Sequence, residues 1–145
     1  MKISTKGLYA LRMLLDLAEN CNNGYVSLKD IADRQKISKK YLEQIIPVFN
    51  HTDILRTNRG SQGGYMLNRS PDKCTVGEIL RLTEGSLVPV ACLEHEPMDC
   101  SLCNECVTLP VWKGLTKVIN DYLDGITLQD ILDQAREQAI DSYMI

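Results

Sequence analysis

The sequence predicts a mainly α-helical fold with one small β-hairpin. Apolar residues recur at intervals of three and four over most of the chain, and residues that cap helices precede these stretches. A glycine-rich segment separates two short runs typical of strands. The 145 residues are 44% hydrophobic and 24% charged, as in ordinary globular proteins. No stretch approaches the roughly 20 apolar residues of a membrane span, and no secretory signal is recognisable, so we expect a cytoplasmic protein.

Three helices are predicted in the first fifty residues. Ser4 caps the first, and Ser27 begins a short second helix. Ser38 caps a third helix that should reach about Phe49, with Pro47 expected to kink or shorten it. At about 100° per residue, the apolar side chains of the third helix share one arc. The opposite, polar arc consists of Lys39, Lys40, Glu43, Gln44 and Pro47.

The hairpin and three more helices follow. Residues 54–59 and 65–67 are predicted strands joined by a loop at 60–64, and Thr75 begins a capping box and a fourth helix. Residues 85–109 lack periodicity. Pro110 suits the first turn of a long helix that Gly125 ends, and Thr127 begins a second capping box and a last helix to about Ile140.

The order of these elements predicts a winged helix-turn-helix domain. An exposed helix fits the major groove of DNA, and a hairpin without bulky side chains at its tip can approach the sugar-phosphate backbone. Residues 1–70 carry 11 Lys or Arg against 6 Asp or Glu, whereas residues 71–145 carry 5 against 13, so the first half is the basic one. The predicted DNA-contacting residues are Ser38, Lys39, Lys40, Tyr41, Glu43 and Gln44 in the helix and Arg56, Arg59, Gly60, Ser61 and Gln62 in the hairpin.

The polar residues of the third helix are suited to different contacts. The lysines suit phosphate and guanine, and Gln44 can pair with adenine. Glu43 can accept only from cytosine and repels the backbone, so it should narrow the range of sequences bound.

Four cysteines lie within fifteen residues, at Cys92, Cys100, Cys103 and Cys106, in C-x7-C-x2-C-x2-C spacing. Repeated C-x2-C is common to iron–sulfur and zinc sites, so the spacing predicts a metal centre without choosing the metal. A thiol–disulfide switch is a further alternative. Catalysis is not expected, because the chain has two histidines and no recognisable triad or phosphate-binding loop.

The helix from Pro110 carries two adjoining apolar rows, more than a small acidic arm can cover. Pairing with a symmetry mate would cover them and space two recognition helices for successive major grooves. Packing wholly within the monomer is the alternative. We therefore divide the chain into a DNA-binding domain at 1–84, a cysteine-rich sensor loop at 85–109, and a dimerisation helix with a C-terminal helix and tail at 110–145.

Three segments carry a family resemblance: residues 1–7 (MKISTKG), Tyr41-Leu42-Glu43-Gln44, and Arg59-Gly60 followed by Gly63-Gly64-Tyr65. They resemble the IscR-like family of winged-helix transcriptional regulators, which includes NsrR and CymR. The resemblance covers nearly the whole chain. It implies a cytoplasmic homodimer that binds an imperfect palindromic operator in double-stranded DNA, with Arg59 and the helix from Ser38 contacting it.

The resemblance also implies an iron–sulfur cluster, 2Fe–2S or 4Fe–4S, whose state modulates operator binding. Sensing members use three loop cysteines, matched here by Cys92, Cys100 and Cys106, and one other ligand. Leu109 stands where the family has a ligand histidine, and Leu8 stands where some members have an aspartate. Neither leucine can bind a metal, so Cys103 is the expected fourth ligand, with His95 as a less favoured alternative. The target genes would serve iron–sulfur cluster or sulfur and cysteine metabolism.

The tail supports an alternative function. Residues 141–145 (DSYMI) resemble the tails with which serine acetyltransferases enter cysteine synthase, an enzyme that regulates CymR-type relatives. The alternative is a cysteine-metabolism repressor controlled by cysteine synthase binding or thiol redox state, with zinc or a disulfide in the cysteine loop. A frayed helix end is the structural explanation of the same residues.

Overall fold

The computed structural model describes residues 1–98, 100–102 and 104–144. Within these ranges it confirms a mainly α-helical fold with one antiparallel hairpin. The elements are α1 (Thr5–Glu19), α2 (Leu28–Gln35), α3 (Lys39–Ile45), β1 (Leu55–Asn58), β2 (Gly64–Leu67), α4 (Val76–Glu84), α5 (Leu109–Asp124) and α6 (Leu128–Tyr143). No helix in the described ranges is long and apolar enough to cross a membrane.

The predicted N-caps are confirmed. The hydroxyls of Ser4, Ser27, Ser38, Thr75 and Thr127 each accept a hydrogen bond from the backbone N–H three residues on. Thr127 belongs to a complete capping box, because the carboxylate of the residue three positions later accepts from the Thr127 N–H in return.

The other predicted capping box, at Thr75, is half formed. Thr75 accepts from the Glu78 N–H, but the Glu78 carboxylate accepts two hydrogen bonds from Arg69, at 2.7 and 3.2 Å. Arg69 also pairs with Asp53 at 3.1 Å, so it ties the base of the hairpin to the first turn of α4. The hydrogen bonding to Glu78, followed by the charges of Glu78 and Asp53, raises the pKa of Arg69.

The third helix is shorter than predicted. The α-helix ends at Ile45 and continues as a 3-10 turn over Ile46–Phe49, with Pro47 in its first turn. Proline has no N–H to donate to the carbonyl four residues earlier, so the α-helix cannot continue through it. Pro47 therefore shortens the helix, while Leu42, Ile45 and Phe49 remain buried in the core.

The main core joins both ends of the chain. It contains buried side chains of α1, α2 and α3 together with Leu128 and Leu132 of α6. A second cluster, Val76, Leu80 and Leu87, is covered in part by α5. The start of α6 thus packs on the same core as the helix-turn-helix, even though more than 80 residues separate them in sequence.

A buried carboxylate fixes α2 against α1. Asp16 is 1% exposed and accepts hydrogen bonds from Arg34 at 2.7 and 3.0 Å and from Gln35 at 3.0 Å. The hydrogen bond with Asp16 raises the pKa of Arg34, which therefore stays protonated. These contacts set the position of α2, and with it the turn that leads into α3.

Candidate DNA-binding surface and cysteine loop

The polar face of α3 is exposed as predicted. Lys39, Lys40, Glu43 and Gln44 all lie at the surface. Ser38 is exposed too, with its oxygen engaged by the Tyr41 N–H at 3.1 Å. The Tyr41 ring is half-buried and packs edge-on against Tyr9 of α1, with centroids 5.3 Å apart. Tyr41 therefore anchors the helix to α1, while its four polar neighbours face solvent.

The hairpin forms an exposed wing whose tip is built on glycine. Arg56, Arg59, Gly60, Ser61 and Gln62 are all exposed. Gly60 has a φ of 125°, in the region that favours glycine, and its carbonyl accepts from the Gly63 N–H at 3.0 Å. The tip therefore presents backbone and two small or polar side chains, which permits close approach to another molecule.

Another glycine holds the wing against the rest of the domain. Val26 and Tyr65 exchange two backbone hydrogen bonds of 2.8 Å. A Cβ atom at Gly64 would lie 2.5 Å from the Val26 carbonyl oxygen, so this approach requires glycine. The wing is in this way fixed to the segment that leads into α2.

The recognition helix and the wing flank one open cleft of about 870 Å³. Lys39 and Glu43 line it from α3, and Arg59 and Gly60 line it from the wing. The structure therefore brings the two predicted DNA-contacting elements to the same surface. Further lining residues, which the sequence did not assign to DNA binding, are Ser27, Lys29, Asn50, His51, Thr57 and Asn58.

Two sets of basic side chains differ in their ion pairing. Arg34, Arg69 and Arg81 form ion pairs of 2.7 to 3.1 Å that join different elements of the fold. By contrast, within the described ranges no ion-pair partner is found for the basic residues of the helix and wing, namely Lys39, Lys40, Arg56 and Arg59. Their charges remain available to an external anion such as a phosphate.

The described cysteines of the loop are free thiols. Cys92 lies in a 3-10 turn, Cys106 precedes α5, and both are half-buried, as is Cys100. The predicted fourth ligand, Cys103, lies outside the described residues. A hydrogen bond with the Thr108 side chain, followed by one with its backbone, lowers the pKa of Cys106 and favours the thiolate that binds metals.

The cysteine side chains have the chemistry of a thiolate-bound metal centre, but those in the described ranges are not gathered around one point. Among the described residues, no group of three or more His, Cys, Asp or Glu side chains is close enough to share an ion. His95 is exposed beside a separate cavity of about 530 Å³ that Lys113 of α5 also lines. Leu8 is exposed and Leu109 half-buried. Outside the loop, Cys21 is exposed and Cys74 is buried, and burial raises the pKa of Cys74.

Helix α5 has one covered apolar row and one exposed row. Ile119 and Leu123 pack on the second core cluster. Val118 and Tyr122 are 64% and 67% exposed, and with Val111 and Leu115 they form a continuous stripe at spacings of three and four residues. The monomer therefore covers only one of the two rows.

Comparisons with known proteins agree with this geometry. A family profile described as "Rrf2: Iron-dependent Transcriptional regulator" matches residues 3–134. The transcriptional regulator CymR of Bacillus subtilis (strain 168) is 37% identical over 131 residues, which cover 90% of this chain and 89% of that protein. The solved structure of IscR from T. potens superposes with a TM-score of 0.75 at 42% identity, covering 95% of this chain and 90% of IscR. CymR (YrzC), described as the global cysteine regulator of B. subtilis, superposes with a TM-score of 0.76 at 34% identity, covering 92% and 98%.

Proposed function

Because the chain belongs to the Rrf2 family of IscR-like winged-helix regulators, we propose that it acts as a homodimer on an imperfect palindromic operator. It is a DNA-binding transcriptional regulator and not an enzyme. In the proposal, an iron–sulfur cluster in the cysteine loop modulates operator binding. The controlled genes serve iron–sulfur cluster or sulfur and cysteine metabolism.

The shared cleft between α3 and the wing carries the proposal. A helix in the major groove reads base edges, while contacts to phosphates fix its register. Lys39 and Arg59 both line this cleft and have no ion-pair partner in the described ranges, so a strand of DNA backbone can engage both. In this reading Lys40 and Gln44 contact base edges or phosphates from the same exposed face.

The exposed stripe on α5 supports the homodimer. An isolated monomer would leave Val111, Leu115, Val118 and Tyr122 in water, and contiguous apolar surface of this kind marks an interface. A two-fold pairing of α5 with its copy covers the same patch on both chains. The two recognition helices would then face successive major grooves of a palindrome.

The proposed cluster ligands are Cys92, Cys100 and Cys106, with Cys103 as the fourth. A bound cluster, 2Fe–2S or 4Fe–4S, would supply redox sensitivity and a dependence on iron supply. Cys92 belongs to the segment that follows α4, whereas Cys106 lies three residues before α5. Holding both cysteines together would therefore restrain the connection between the DNA-binding half and the proposed dimer helix.

The test begins with anaerobic purification, followed by analysis of iron and sulfide. Duplexes are then selected from a random-sequence pool by protein with and without its iron. We expect inverted half-sites and a change in affinity on iron removal. Cys106→Ser should lose the cluster, while Cys21→Ser, outside the loop, should retain it. Absence of stoichiometric iron and sulfide would contradict the cofactor, and selection of sequences without two-fold symmetry would contradict the dimeric operator.

Similarity to CymR favours a second candidate, a cysteine-metabolism repressor controlled by cysteine synthase or by thiol redox state. Here the cysteine loop would hold zinc or a disulfide. Tyr143 at the end of α6 is 91% exposed, so the tail is accessible to a partner, although Ile145 lies outside the described residues. Titration with cysteine synthase tests this candidate, with a chain truncated before Tyr143 as the control. Equal binding of both chains, or of neither, would contradict docking of the tail.

A further inference from the structure

A polar junction holds α4 against α5. The Arg81 guanidinium donates to the Asn120 amide oxygen at 2.7 and 3.3 Å, and to the Asp124 carboxylate at 2.7 Å. Gly77, one turn earlier in α4, faces the same carboxylate, and a Cβ atom there would collide with it. The two helices are therefore in close contact at this point and cannot slide past each other without breaking the hydrogen bonds of Arg81.

The other side of the Asn120 amide is tied to the beginning of the cysteine loop. Its nitrogen donates to the Leu87 carbonyl at 3.2 Å and to the Thr116 carbonyl, one turn back in α5, at 2.8 Å. One half-buried side chain thus joins α4, α5 and the segment that follows α4. Its oxygen accepts from α4, and its nitrogen donates to α5 and to the segment that follows α4.

Leu87 is also part of the apolar packing at this junction. It is buried with Val76 and Leu80, and Ile119 and Leu123 of α5 pack against the same cluster. Leu87 lies five residues before Cys92, so a force on the loop cysteines reaches this residue through a short stretch of chain. Close-packed interiors respond to such displacement by moving neighbouring side chains together.

We propose that Asn120 is a positioning residue that couples the start of the cysteine loop to the crossing of α4 and α5. The inference rests on the proposed function, since α5 is there the dimer helix and α4 belongs to the DNA-binding half. A change at Leu87 alters the angle at which α5 leaves the DNA-binding half, and hence the spacing of the two recognition helices. Coupling of this kind is reciprocal, so DNA binding must in turn alter the loop.

The reciprocal direction gives a test that needs no cluster. Asn120→Asp retains an acceptor for Arg81 but replaces the N–H donor with an oxygen facing the Leu87 and Thr116 carbonyls. The variant therefore loses the link to the loop and one bond within α5, while the contact with α4 remains. Hydrogen–deuterium exchange of the full chain is measured with and without a duplex that the wild-type protein selected from a random pool. Asn22→Asp, an exposed site in the turn after α1, introduces the same charge elsewhere as a control.

In the wild type and in Asn22→Asp, we expect the duplex to slow exchange in α3 and the wing and to change it at least about threefold over residues 86–93. In Asn120→Asp, protection of α3 should remain while the change at 86–93 is lost. Arg81→Lys keeps the positive charge but cannot bond Asn120 and Asp124 together as the guanidinium does, so it should also abolish the change at 86–93. This second variant tests the inference if Asn120→Asp is poorly folded.

The outcomes separate the inference from the proposed function. If the duplex protects α3 but leaves 86–93 unchanged in the wild type, or if the change persists in Asn120→Asp, the coupling role of Asn120 is wrong and DNA binding stands. If the wild type selects no duplex and α3 gains no protection, the proposed function fails and the inference fails with it.

Discussion

Replacing Arg59 by alanine is expected to remove one phosphate contact from each half of the proposed dimer. Arg59 is exposed on the wing, lines the same cleft as Lys39, and has no ion-pair partner in the described ranges, so its charge is free to engage DNA. Each neutralised phosphate contributes about −0.9 to the slope of log K against log salt, and two copies give about −1.8. Between about 50 and 200 mM salt, the affinity ratio of wild type to variant should therefore fall about 12-fold.

The measurement is fluorescence anisotropy of a labelled, selected duplex over that salt range. Arg136→Ala is the matched control, because Arg136 is an exposed arginine on α6 whose pairing with Asp133 is long, at 3.9 Å. Its slope should equal that of the wild type. An unchanged slope for Arg59→Ala would show that the wing does not contact the phosphate backbone through this side chain.

Three further perturbations address the dimer, the scaffold and the specificity. Val118→Glu places a charge in the exposed stripe of α5 and should convert the dimer to a monomer in light scattering; a dimer that persists would place the interface elsewhere. Asp16→Ala leaves Arg34 without its buried partner and should lower the free energy of unfolding, measured by urea titration, by about 3 kcal/mol. This value is the lower end of the range for a broken buried ion pair, because Arg34 is partly exposed. As a control, Asp33→Ala breaks an exposed ion pair and should lower the free energy of unfolding by less than about 0.5 kcal/mol. Equal losses for Asp16→Ala and Asp33→Ala would refute the reasoning. Glu43→Ala should broaden the set of duplexes selected, and an unchanged set would mean that this carboxylate does not face the bases.

Local chemistry made the helices and the exposed polar face of α3 predictable. A hydroxyl before an apolar repeat caps a helix through bonds within four residues, and Ser4, Ser27 and Ser38 do so. Pro47 shortens α3 for reasons that belong to proline itself. The exposure of Lys39 and its neighbours follows from the periodicity of the same helix.

Contacts between distant segments were not predictable in the same way. Glu78 fits a capping box by spacing, yet Arg69 takes its carboxylate because the fold brings the hairpin base beside α4. Lys29 reads as an ordinary residue in the first turn of a helix, and only the fold shows that it lines the cleft. The cysteine loop combines both situations: its spacing predicts a metal centre, but the described thiols do not by themselves fix the geometry of one.

The packing of α6 has a consequence for any attempt to isolate the DNA-binding half. Leu128 and Leu132 fill the core beside α1, and both follow the residue at which the predicted DNA-binding domain ends. A fragment of residues 1–84 would retain every proposed DNA contact and yet expose an apolar hollow where α6 had been. Such a fragment should aggregate, or unfold at a lower temperature than the full chain, unless residues 128–132 are supplied again. In the full chain, the DNA-binding half and α6 should therefore unfold in a single transition.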